Sequence, residues 1–94
     1  MLNQLVLIIQ SKHEAMNVRD NIRKNIRYIR KKQEYTQQQF ADSINVNRAN
    51  VGAYEEGRAV IPIDSLAKIS KEYNVSLDDL AFTDIELHNN QNSL

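Results

Sequence analysis

The chain has no cysteine and no tryptophan, one proline and two glycines. Without cysteine there are no disulfide staples and no thiolate metal sites. The absence fits a reducing compartment, and a cytoplasmic location is the expectation. So few backbone breakers, set among many Leu, Ile, Lys, Glu, Asn and Gln, describe an all-α composition. Long apolar runs are missing too. The longest, Leu5 to Ile9, falls far short of the roughly 20 residues that cross a bilayer, so no membrane span is expected. Residues 1–10 carry neither a basic start nor a small-residue cleavage site, so a secretory signal is not expected. Two histidines, His13 and His88, stand outside the periodic segments, and there is no Gly-rich phosphate loop. An enzyme is therefore the weakest reading, and no cofactor is expected.

Ninety-four residues suit one small domain. Net charge is zero, but its distribution is uneven. From Arg19 to Arg58 there are nine basic and five acidic residues; after Lys71 there are five acidic residues and no basic one. One positive face is what a phosphate backbone selects for, and solvated helix faces are the plainer account.

Residues 1–15 are the least legible. The β-branched run Leu5-Val6-Leu7-Ile8-Ile9 suits a short strand or a buried helical turn, docked on the domain or on a partner chain; alternatively, translation starts at Met16. Beyond it, Val18, Ile22, Ile26 and Ile29 mark one face of a first helix, from about Arg19 or Asn21 to Gln33. Thr36 and Gln39 have capping-box spacing, and Tyr35 with Phe40 a hydrophobic staple, so a second helix starts there. Phe40, Ala41 and Ile44 point it inward, and Asn45 suits its left-handed end. A third helix follows at once, with Asn47 as N-cap, Val46 and Val51 as staple, Tyr54 inward and Gly57 as terminator. After the loop from Arg58 to Pro62, a fourth helix is expected from about Ile63 to Tyr73, ending at Asn74. A fifth opens at Ser76-Leu77-Asp78-Asp79 and reaches Phe82. Ile85 and Leu87 extend its apolar face, and 88–94 read as a polar, disordered tail.

Thr36 to Gly57 is thus two short helices joined by a tight turn. Such a pair crosses at a large angle. The crossing needs a small residue where backbones meet, supplied by Ala41, and a positive-φ residue in the turn, supplied by Asn45. Apolar residues at Phe40, Ile44, Val46, Val51 and Tyr54 then set the angle.

On these residues, together with Ile26-Arg27-Tyr28-Ile29-Arg30, Tyr54-Glu55-Glu56-Gly57 and Val75-Ser76-Leu77-Asp78-Asp79-Leu80, the segment from about Ile22 to Phe82 resembles the lambda-repressor-like, Cro-type helix-turn-helix family of five-helix DNA-binding domains. Asn45 and Asn74 stand where that family usually has Gly; residues 1–15 match nothing in its pattern. The resemblance implies a DNA-binding domain over 18–87, after an N-terminal extension (1–17) and before the tail. It also implies a regulator, expected to be a repressor, that places the third helix, about 47–56, in the major groove of double-stranded DNA. Gln37 would meet a phosphate from the start of the second helix, or be a plain glutamine at the first helical position. Arg48 would reach guanine O6 and N7, or else a phosphate, or stay solvated. Asn50 would read adenine, hold a phosphate or complete the capping pattern; Asn47 is more a cap than a contact. Ala49 and Ala53 offer methyl contacts, and Arg58 a phosphate contact. Gly52 would either let backbone approach DNA closely or be a tolerated surface glycine. Arg30 and Glu55 would form a partly buried structural ion pair. One domain offers few base contacts, so a homodimer on an inverted-repeat operator is expected, paired through Phe82, Ile85 and Leu87 or through Leu5–Ile9. An antitoxin that also binds a toxin protein is the alternative from the same domain, and a helical protein-interaction module that never touches DNA is a third.

Overall fold

The computed structural model describes residues 17–92. They form six α-helices: α1 (Val18–Lys32), α2 (Gln37–Ser43), α3 (Arg48–Glu55), α4 (Ile63–Tyr73), α5 (Leu77–Phe82) and α6 (Ile85–Asn92). No strand occurs among the described residues, so the all-α expectation holds. The expectations for Leu5–Ile9 fall outside them.

Each early boundary has a local cause. Asn17 Oδ1 accepts the Arg19 N–H at 2.8 Å and opens α1. Thr36 and Gln39 form the full capping box of α2, with Gln39 N to Thr36 Oγ1 at 3.1 Å and Thr36 N to Gln39 Oε1 at 2.8 Å. Asn47 Oδ1 takes the Asn50 N–H at 2.9 Å and opens α3. Ser76 does the same for Asp79 N at 2.9 Å, but the reciprocal half is replaced: the Asp79 carboxylate accepts from the Thr83 hydroxyl. Pro62 opens α4 with no side-chain cap.

Helix ends follow one scheme. Asn45, Gly57 and Asn74 have φ of 56°, 75° and 53°, the left-handed conformation anticipated for them. Glu34, after α1, joins them at 59°. In all four cases the N–H of the following residue returns to a carbonyl inside the helix, as Val46 N does to Ala41 O at 3.0 Å and Tyr35 N to Arg30 O at 3.2 Å.

Ile26, Ile29, Phe40, Ala41, Ile44, Val51, Tyr54, Ile61, Ile69 and Leu80 make up the core, with Ile22, Val46, Leu66, Tyr73, Val75 and Ile85 packed against it. Ala41 is fully buried in α2, as the small residue at the crossing should be. Phe40 stacks on Tyr73 at 5.3 Å between ring centroids, and the Tyr73 hydroxyl shares a hydrogen bond with Ser43 Oγ. Burial pushes the Tyr73 hydroxyl pKa up.

Three features depart from the sequence reading. Val18, counted on the apolar face of α1, lies exposed in the first turn. Asn21 and Asn25, counted on no face, are 1% and 2% exposed. Their amides serve the carbonyls that the short α5 leaves without intrahelical partners. Asn21 Nδ2 lies 2.9 Å from Ala81 O and 3.0 Å from Thr83 O; Asn25 Nδ2 lies 2.9 Å from Leu80 O and 2.8 Å from Thr83 O. Asn25 Oδ1 also accepts the Ile85 N–H at 3.2 Å, at the start of α6.

The third departure is α6 itself. Residues 88–92, read as a disordered tail, continue a helix that starts at Ile85. Asp84 opens it, accepting Leu87 N at 3.1 Å on its side chain and His88 N at 2.9 Å on its carbonyl. Ile85 is half-buried against the core, and Asn89 Nδ2 donates to the Tyr28 hydroxyl at 3.2 Å. Among the described residues, no helix is long and apolar enough to cross a membrane.

Candidate nucleic-acid interface

The candidate surface is built around α3. Val51, Gly52, Tyr54 and Glu55 are its buried positions, while Arg48, Ala49 and Asn50 form an exposed first turn and Ala53 is half-buried. Asn47 holds that turn through its cap, as expected of it. The side chains of Arg48 and Asn50 make no hydrogen bond or ion pair among the described residues, so they remain free to meet a partner.

At the other end of α3, Glu55 secures the helix to α1. Arg30 grips its carboxylate with two nitrogens: Nε to Oε2 at 2.6 Å and Nη2 to Oε1 at 2.9 Å. The side chains are 13% and 4% exposed. This is the bidentate geometry that makes Arg–carboxylate pairs strong and directional. The remaining Arg30 nitrogen donates to Tyr35 O at 2.9 Å, in the link between α1 and α2. The hydrogen bond to Glu55 holds the Arg30 pKa above its ordinary value; burial opposes this and the nearby negative charge adds to it. The expected ion pair is therefore present.

Gln37, Gly52 and Arg58 come together from three parts of the chain. Gln37 Nε2 donates to Glu55 Oε1 at 3.3 Å, which lays its amide against α3. A Cβ on Gly52 would sit 3.5 Å from Gln37 Oε1 and 4.0 Å from Arg58 Nη2. Gly52 was expected on the exposed surface and is instead buried beneath these side chains. The cover comes from a residue on the preceding helix, fifteen positions earlier, which sequence spacing alone does not reveal. The added Cβ would make ordinary van der Waals contact, so packing alone does not demand glycine.

Arg58 is exposed and paired with Glu56, with Nε 2.6 Å from Oε2. Such an exposed pair contributes little and opens readily to another anion. Arg23, a residue the sequence reading did not single out, reaches the Glu55 carbonyl with Nη1 at 3.4 Å and packs its Cδ near Gly57. The available signal was its position seven residues before Arg30, on the same side of α1. Among the described residues, no group of His, Asp and Glu gathers as a metal site.

Comparison with known proteins agrees with this geometry. The family model described as helix-turn-helix matches residues 26–80. The HTH-type transcriptional regulator ImmR of Bacillus subtilis (strain 168) is 34% identical over 71 residues, covering 76% of this chain and 56% of that protein. The chain thus spans little more than half the length of this curated relative. No solved structure matches it significantly. A capped helix pair turning at Asn45, an exposed first turn on the second of the two, and a family match across more than half of the sequence lead to one conclusion: the chain belongs to the lambda-repressor-like helix-turn-helix family.

Proposed function

We propose that this protein binds double-stranded DNA sequence-specifically and acts as a transcriptional regulator, most simply a repressor that occupies its operator. In this reading α3 lies in the major groove and α2 crosses the backbone. Arg48 carries base recognition through guanine O6 and N7, Asn50 reads or braces an adjacent position, and Ala49 and Ala53 offer methyl contacts. Gln37 and Arg58 hold phosphate oxygens on either side of Gly52, and Asn47 keeps the turn in shape. The observation that carries this reading is the exposed first turn Arg48-Ala49-Asn50, whose Arg48 and Asn50 side chains meet no partner among the described residues, on a helix capped by Asn47 and pinned to α1 through Glu55. The similarity to a transcriptional regulator supports it.

A homodimer on an inverted repeat supplies the contacts one domain lacks. Phe82 and Leu87, 64% and 55% exposed at the end of α5 and on α6, support a pairing surface there. The action is cytoplasmic, on double-stranded DNA.

Selection of bound duplexes from a random pool tests the proposal. An inverted-repeat consensus is expected, with affinity falling steeply as salt rises. Binding that ignores both sequence and salt would sink it.

A further inference from the structure

Glu55 does more than neutralise Arg30. Its Oε1 accepts two donors at once, Arg30 Nη2 at 2.9 Å and Gln37 Nε2 at 3.3 Å. An ionised carboxylate only accepts, so the Gln37 atom on it is the amide nitrogen. That requirement settles which way the amide faces. Oε1 is the atom turned onto α3, 3.5 Å from where a Gly52 Cβ would stand, and Nε2 lies 3.9 Å from the same point. Arg58 Nη2 approaches that point to 4.0 Å. Nε2 has a second N–H not needed by Glu55.

We infer that Glu55 is a positioning residue for DNA binding: by taking one N–H of Gln37 it orients the other toward a phosphate oxygen of the duplex. The inference rests on the DNA reading given above. It differs from a purely structural role, in which Gln37 is a strut for the ion pair and its orientation has no effect on DNA.

A double-mutant cycle separates the two. Glu55→Gln keeps the shape but can donate as well as accept, so it no longer dictates the orientation of the Gln37 amide. Gln37→Ala removes the amide. Affinity for the selected duplex is measured for the parent, both single variants and the double variant, at a temperature where circular dichroism shows each folded. The lost negative charge acts alike in both backgrounds and cancels in the cycle. The expected result is a Glu55→Gln effect at least about threefold more damaging with Gln37 present than with Ala at 37. Equal effects in the two backgrounds overturn the positioning role. A Gln37→Ala protein that binds as tightly as the parent overturns it too, while the DNA reading stands on the selected consensus. A pool that yields no consensus removes both. Should Glu55→Gln fail to fold, Arg30→Lys, which keeps the cation and loosens the carboxylate, enters the same cycle with the same outcomes.

Discussion

Helix α1 holds the rest of the protein with two different kinds of polar contact. Toward α3 it offers a cation, Arg30, to one buried carboxylate. Toward α5 and α6 it offers two neutral amides, Asn21 and Asn25, to several backbone carbonyls. The first contact joins two side chains and is directional. The second joins side chains to a main-chain end and completes a helix too short to satisfy itself. A buried charge pair therefore fixes the helix that is proposed to meet DNA, and amide capping fixes the C-terminal half, where the Lys24–Asp84 ion pair at 3.6 Å is looser and more exposed. Losing one charged partner strands a buried ion, whereas losing an amide strands dipoles.

The sharpest way to break the comparison is Arg30→Met. It leaves the Glu55 carboxylate buried without its cation and should cost about 3–5 kcal/mol in urea unfolding. A loss below about 1 kcal/mol would mean that Gln37 and solvent suffice for Glu55. Next comes Asn25→Ala, which removes the donor to Leu80 O and Thr83 O and the acceptor for Ile85 N. A cost of about 2–3 kcal/mol is expected. Hydrogen exchange should show α6 opening first while α2 and α3 stay protected. Uniform loss of protection would instead mean that the amides hold the whole core.

The pH dependence sharpens the contrast without breaking either side. A cation whose folded pKa is raised contributes stability that is complete below its unfolded pKa and lost only as pH climbs through the folded one. For Arg30 that window lies far above neutrality. The stability gap between the parent and Arg30→Met should therefore stay level from about pH 6 to about pH 10. A gap that closes within that range would show that another group carries the interaction. Least disruptive to the fold is Arg48→Ala, which touches neither contact. Its stability should stay within about 0.5 kcal/mol of the parent. DNA affinity should fall by about 1–3 kcal/mol, with specificity relaxed at one base position. Equal loss on every sequence would reassign Arg48 to a phosphate.

Local chemistry was the legible part of the fold. The caps at Thr36, Asn47 and Ser76 and the left-handed ends at Asn45, Gly57 and Asn74 depend on residues a few positions apart, and short spacing displays them. Glu34 escaped because its Cβ gives no preference for that conformation; the returning bonds of the helix end impose it. Asn21 and Asn25 escaped for a different reason. A polar residue on a helix reads as surface unless something distant needs its amide, and the carbonyls in question lie more than fifty residues away. Among the described residues of α6, Ile85 is the one hydrophobic packed against the core, so its pattern is too weak to announce a helix.

The candidate site divides along the same line. Exposure of Arg48, Ala49 and Asn50 follows from the spacing of the core residues around them. Arg30–Glu55 came only from the family resemblance. Burial of Gly52 beneath Gln37 came from neither, because it depends on how closely α2 folds over α3.

The grip on Glu55 has a consequence at the opposite end of α3. Arg48 and Glu55 are seven residues apart, which is about 20° short of two full turns. Both therefore leave the axis on nearly the same azimuth. A helix pinned only by apolar packing retains some freedom to roll about its own axis, since smooth side chains slide past one another. A two-pronged guanidinium on the carboxylate resists that roll. Because an α-helix transmits torsion almost rigidly along its length, setting the azimuth of Glu55 sets the azimuth of Arg48 as well. The direction in which the Arg48 side chain sets out is thus tied to an ion pair two turns away.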